Sequence, residues 1–133
     1  MTEHLTLEDL LVAAEAVLGH AADVRDYGLL EAAIARTSAT VYGDDAYPDL
    51  NAKAAALLHS IVRNHALVDG NKRLGWVAVR LFYILNGAAL RAPEDEAFAL
   101  MIAVADGSVS DVSAIAAALA GWAVPIDAPV SAT

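Results

Sequence analysis

Residues 65–76 read His65-Ala66-Leu67-Val68-Asp69-Gly70-Asn71-Lys72-Arg73-Leu74-Gly75-Trp76. The stretch joins two segments of helical periodicity. Upstream, Leu50, Ala54, Leu57, Leu58, Ile61 and Val62 recur on one face and run into His65. Downstream, Leu74, Val77, Ala78, Leu81, Phe82 and Leu85 do the same and stop at Asn86-Gly87, a pair that ends helices. Two helices joined by a tight polar loop are predicted, with Asn71 as N-cap of the second. That second helix opens on two adjacent cations, Lys72 and Arg73, where the helix dipole disfavours each by roughly 0.3–1 kcal/mol. An anion at the loop would resolve the conflict.

Working outward, helices fill most of the chain. Thr6-Leu7-Glu8-Asp9 has the form of a capping box with Asp in the third position. Leu7, Leu10, Leu11, Ala14, Val17 and Leu18 follow at helical spacing and Gly19 closes the element. A shorter helix is expected from about Leu29 to Ser38, burying Leu29, Leu30, Ala33 and Ile34. The Gly-, Asp- and Pro-bearing segment 40–48 reads as an exposed loop or small hairpin. Pro48-Asp49 opens the helix that leads to His65. Pro93-Glu94-Asp95-Glu96 opens a fifth helix with acids in its first turn, as the dipole prefers, ending near Asp106-Gly107. A last helix starts around Ser110 and carries Val112, Ile115, Ala116, Leu119 and Trp122. The expectation is an all-α, single-domain bundle of about six helices over residues 1–124, with a short flap loop before the central helix pair. Residues 125–133 read as a flexible tail. No internal repeat or domain linker interrupts this.

Composition bounds the function. A chain of 133 residues with 58% hydrophobic content can bury a core without disulfides or a structural metal. A net charge of −9 argues against a nucleic-acid-binding surface but leaves room for a small anion in a locally basic pocket. There is no cysteine, which removes thiolate metal sites and fits a reducing compartment. The longest uncharged run, Val112–Ile126, is shorter than a membrane span and contains Ser, Gly and Pro. A cytoplasmic location without membrane attachment is expected.

The central loop holds chemistry of one kind. Gly70 permits a positive φ or a close backbone approach to a ligand. The free amides at the start of the following helix form an anion cradle, to which Lys72 and Arg73 add two full charges. Asp69 offers a hard oxygen ligand suited to Mg²⁺. His65 is a residue type that accepts and returns protons near neutral pH. These parts suit phosphoryl or nucleotidyl transfer, in which positioning and charge stabilisation supply most of the catalysis. Each also has an ordinary reading: a histidine that ends a helix, a solvated Lys-Arg pair, an Asp-Gly turn. There is no P-loop pattern, no H-E-x-x-H, and no spacing that brings His4, His20 or His59 to His65 as metal ligands. Residue chemistry alone stops at a phosphate site.

The segment His65-Ala66-Leu67-Val68-Asp69-Gly70-Asn71-Lys72-Arg73 resembles the Fic/Doc signature H-x-F-x-[DE]-[GA]-N-[GK]-R, and more narrowly its Doc (death-on-curing) branch. Asp26-Tyr27-Gly28-Leu29-Leu30-Glu31 is similar to the family's upstream D-x-G-x-L-E stretch, and Arg63-Asn64-His65 to its R-x-H approach. The resemblance runs from about residue 5 to 122. It implies that His65 is the general base and that Asp69 holds Mg²⁺ and orients ATP. It also implies that Arg63, Gly70, Asn71, Lys72 and Arg73 surround the nucleotide. Lys72 stands where the family's AMP-transferases have Gly. The resemblance therefore implies reversed ATP and a Ser/Thr protein kinase, with elongation factor Tu as target and a Phd-like antitoxin as partner. The rivals are AMP transfer on the same fold and a catalytically weak module that binds a partner. Three positions depart from the pattern: Leu67 replaces the usual Phe as the loop's apolar anchor, Gly70 replaces the Ala of phage-type Doc, and Val77 replaces its polar Asn.

Overall fold

The computed structural model describes residues 1–126. Six helices lie among them: α1 (Leu7–Leu18), α2 (Tyr27–Arg36), α3 (Leu50–Asn64), α4 (Asn71–Leu85), α5 (Glu94–Asp106) and α6 (Val112–Trp122). The all-α bundle expected from periodicity is the fold observed. Two short antiparallel pairs trim it. Strands β1 (Thr40–Val41) and β2 (Asp44–Asp45) make a hairpin, and β3 (Ala88–Leu90) pairs with β4 (Ala123–Pro125). No helix among the described residues is long and apolar enough to cross a membrane.

The centre is α3. It buries Ala54, Ala55, Ala56, Leu57, Leu58, Ile61 and Val62, together with Lys53 and Ser60, and packs against α2, α4, α5 and α6. Its small residues let neighbours approach from several sides. The closest is α4, and Gly75 is the reason. A β-carbon there would meet Val62 Cγ2 at 2.7 Å and Leu58 Cδ1 at 3.2 Å, so α3 and α4 touch backbone against side chain at this point. The buried arc of α4 consequently centres on Leu74, Gly75, Ala78, Val79, Phe82 and Tyr83. Leu81 and Leu85, expected in the core, lie on the exposed side, and Val77 is half-buried. Tyr83 compensates its buried hydroxyl by donating to Asn51 Oδ1 at 2.6 Å. Burial, reinforced by the nearby Asp49 charge, holds that hydroxyl well above the usual phenol range.

Local signals explain most helix starts. The Thr6–Asp9 capping box is closed in both directions. Asp26, Asp49 and Asp111 cap α2, α3 and α6 through side-chain oxygens. The Asp26 cap sets the start of α2 at Tyr27, two residues before the expected Leu29, and α2 ends at Arg36 rather than Ser38. Segment 40–48 resolves as the hairpin. Tyr42 and Gly43 take φ of 52° and 86°, positive at both central positions as a type I′ turn demands. Its base is pinned to α3 by Lys53, only 4% exposed, whose ammonium donates to Asp45 Oδ2 at 3.1 Å and to the Tyr47 carbonyl. Arg36 adds a second pin, lying over the Tyr47 ring and donating to Tyr47 Oη at 2.8 Å, to Ser60 Oγ at 3.0 Å and to His59 Nδ1 at 3.0 Å. The start of the expected tail is not free: Pro125 belongs to β4 and the Ile126 amide donates to Gly87 O. Residues 127–133 lie outside the described residues.

Candidate active site

The 65–76 stretch forms the tight connection between α3 and α4. His65 ends α3 in the left-handed region at φ 52°, ψ 49°, and its side chain is exposed. A residue with a β-carbon gives up roughly 1–2 kcal/mol to sit there. Gly or Asn would relieve that strain, so the position carries an imidazole at a local cost. Leu67 is the anchor expected of it: it is 1% exposed and bridges Val24. Segment 23–26 backs the loop with three further bonds, from the amides of Arg25 and Asp26 to Ala66 O and from Val68 N–H to Asp23 O. The loop is thus held on the core at 66–68 while its flanks, His65 and Asp69, face solvent.

Asn71 does not cap α4. It is the first helical residue, and Gly70 takes the N-cap position at φ 90°, a conformation that only Gly adopts freely. A β-carbon at Gly70 would also lie 2.8 Å from Leu18 Cδ2. The Asn71 amide turns back instead, accepting from Leu67 N–H and donating to Leu67 O, both at 3.0 Å. It staples the loop shut. The first amides of α4 are left with no side-chain cap and no acid in the first turn. Four of the other five helices have a side-chain cap, and α5, capped by Pro93, carries Glu94, Asp95 and Glu96 in its first turn. Among the described helices only α4 presents bare amides and two cations together.

From that N-terminus a cleft of about 610 Å³ runs along α4 toward α5. Lys72, Arg73, Arg80 and Arg91 line it, four of the eight cations in the chain, against one acid, Glu94. Trp76, Val77, Phe98 and Met101 supply its apolar surface. Val77 therefore faces the cleft. Arg80 and Arg91 were not anticipated. Arg80 follows Arg73 by seven residues, two helical turns, a spacing that could have revealed it; Arg91 follows the Asn86-Gly87 break, where helical spacing carries no information.

The predicted residues divide. Lys72 and Arg73 lie in the cleft wall, and Asp69 joins them through an exposed ion pair, its carboxylate 3.7 Å from Arg73 Nη2. Such a pair adds little stability, which leaves both partners available to a ligand. Gly70 and Asn71 shape the loop. Arg63 lies elsewhere: its guanidinium donates to Ala105 O at the far end of α5. Among the described residues no group of three or more His, Asp or Glu side chains that could hold a metal ion forms, at Asp69 or elsewhere.

Over residues 4–83 the chain matches the Fic/DOC family. It is 55% identical over 125 residues to the Toxin Doc of Mycolicibacterium smegmatis, an alignment covering 92% of this chain and 95% of that protein. By both measures the chain belongs to the Fic/DOC family.

Proposed function

We propose that this chain is the toxin of a toxin–antitoxin pair and transfers the γ-phosphate of ATP to a serine or threonine hydroxyl of a cytoplasmic translation factor, elongation factor Tu being the expected target. Family membership and the relative named Toxin Doc support the coarser part, a toxin of transferase type. The observation that carries the finer part is the first turn of α4, where the amides have no side-chain cap and Lys72 and Arg73 line the cleft. That is a polyphosphate environment, and lysine at this position fills room that a smaller residue would leave around the phosphates.

The residues divide the work as follows. His65, exposed beside the loop, removes the hydroxyl proton as the acceptor oxygen bonds to the γ-phosphorus. The bond from that phosphorus to the β–γ bridging oxygen breaks, and ADP carries the bridging oxygen away. Lys72, Arg73 and the α4 amides hold the phosphate charge throughout. A lone exposed carboxylate such as Asp69 fits Mg²⁺, which takes few protein ligands and completes its shell with phosphate oxygens and water. When bound, the ion neutralises charge on the transferring group. The apolar surface of the cleft with its cationic rim suits an amphipathic segment of a Phd-like antitoxin that folds on binding.

ATP labelled separately at the α- and γ-phosphates, incubated with the chain and elongation factor Tu, tests the proposal. Transfer of the γ label supports it. Transfer of the α label establishes AMP transfer instead. No transfer of either, with harmless expression of the chain in its host, favours a module that only binds a partner.

A further inference from the structure

Arg63 stands two residues before His65, and its side chain leaves the loop altogether. Its Nη1 donates to Ala105 O at 2.8 Å, across 42 positions of sequence. The guanidinium lies against Gly107: a β-carbon there would sit 3.3 Å from Nη1 and 3.8 Å from both Cζ and Nη2. Gly107 is the left-handed C-cap of α5, at φ 85°. A cation placed at a helix C-terminus, on a carbonyl with no helical partner of its own, is a favourable arrangement. The tie therefore fixes the last turn of α3 to the last turn of α5. Met101 and Phe98, on the same α5, line the cleft that Lys72 and Arg73 enter from the other side.

The strain at His65 gives this tie a second meaning. A helix that must stop abruptly, with its C-cap side chain forced into the left-handed region, relaxes most easily by fraying its last turn. Arg63 belongs to that turn. We infer that Arg63 is a positioning residue: it clamps the end of α3 to the α5 C-terminus and so holds His65 in its single left-handed conformation at the start of the loop. The inference rests on the reading of His65 as the base. It also separates Arg63 from the nucleotide, which its place in the R-x-H approach had implied it would touch.

The test uses Arg63→Met, Arg63→Lys and Gly107→Ala in the full chain. Gly107→Ala crowds the guanidinium without altering α3. Transfer kinetics should show kcat falling about 10- to 100-fold in Arg63→Met, the loss typical of a small misplacement of a reacting group. KM for ATP should stay within about twofold, since uniform nucleotide binding is untouched. Gly107→Ala should fall in the same direction, and Arg63→Lys, which keeps one donor, should recover part of kcat. NMR of the His65 backbone is the readout that does not need activity. Its coupling constants and shifts should report one left-handed conformer in the wild type and an average of several in Arg63→Met and Gly107→Ala. A rise in ATP KM with kcat unchanged makes Arg63 a nucleotide contact and overturns the inference. A single left-handed His65 in both variants overturns it too, and reduces Arg63 to a cap on α5. If the wild type itself transfers nothing, the proposed kinase activity fails, while the comparison of His65 conformers still decides this one. Should Arg63→Met not fold, Gly107→Ala and Arg63→Lys carry the same decision.

Discussion

At the scale of single residues, stability and function pull apart in the signature loop. His65 occupies a left-handed C-cap that disfavours its β-carbon, so removing the side chain should spare the fold. His65→Ala is expected to lower phosphoryl transfer about 10²–10⁴-fold, the range for loss of a general base, with the melting transition close to wild type. His65→Gly should lose as much activity yet melt at the same temperature or higher, by up to about 1 kcal/mol, because glycine meets no penalty there. Wild-type transfer by either variant would remove His65 from the chemistry. In the proposed reaction Lys72 bears on a different matter, the direction of the nucleotide. Lys72→Gly removes one cleft cation at a cost of about 1 kcal/mol or less in helix propensity. Any surviving activity should shift from the γ label of ATP toward the α label. Undiminished γ transfer in that variant would show that Lys72 does not choose the reaction.

At the scale of elements, the α3–α4 pair is the frame on which the loop hangs, and Gly75 sets its spacing. Gly75→Ala gains helix propensity of about 1 kcal/mol but drives a methyl into Val62 and Leu58, and overpacking of this kind costs about 1–3 kcal/mol. A lower denaturant midpoint and weaker transfer are expected, because the loop moves with the helices; a raised midpoint, the propensity gain alone, would mean that the pair can separate freely. Gly75 also shows why part of the fold was illegible. Counting aliphatic side chains selects Leu81 and Leu85 for the core, since glycine adds no hydrophobic signal, yet the glycine turns the buried arc away from them. Helix number, the Thr6 box, the Asp49 and Pro93 starts and the Gly19 and Gly107 ends follow from local rules and could be read directly. The β3–β4 pair could not, because it joins segments more than thirty positions apart through three residues each. The same limit applies to the site. Asp69, Lys72 and Arg73 were legible because they adjoin one another, whereas the α5 end of Arg63's bond is a tertiary fact. The hairpin makes a separate, pH-dependent prediction. Arg36 can only donate, so His59 Nδ1 must accept and the ring must be neutral. Burial first, then the charges of Arg36 and Arg63, hold the His59 pKa below its ordinary value of 6.5. The unfolded chain then takes up this proton before the folded one, so the stability present above about pH 6.5 is lost as pH falls through the folded value. Melting temperatures measured from pH 7 down to 5 should fall more steeply in the wild type than in His59→Gln, and parallel curves would clear His59 of the effect.

For the whole molecule, the distribution of charge says more than its sum. Of eight cations, Arg36 and Lys53 hold the hairpin, Arg63 holds the end of α5, and four line one cleft. The rest of the surface is left strongly acidic, at a net charge of −9 for the chain. Two electrostatic effects of opposite sign therefore coexist. Acid–acid repulsion over the surface opposes the compact state, and salt relieves it by shortening the screening length from about 10 Å at 0.1 M to about 3 Å at 1 M. Attraction of a polyphosphate into the cleft favours binding, and the same salt weakens it. Raising NaCl from about 50 to about 500 mM should thus raise the melting temperature of the free chain while loosening its hold on ATP. Calorimetric titration beside thermal melts at each salt concentration reads both. Neutralising Arg80 and Arg91 together with Gln should flatten the salt dependence of ATP binding, because those two arginines lie in the cleft wall, while that of the melting temperature persists or steepens, because their loss makes the chain still more acidic. An ATP affinity indifferent to salt in the wild type would mean that the cleft cations do not meet the phosphates. The bare α4 amides would then have to bind the anion without them.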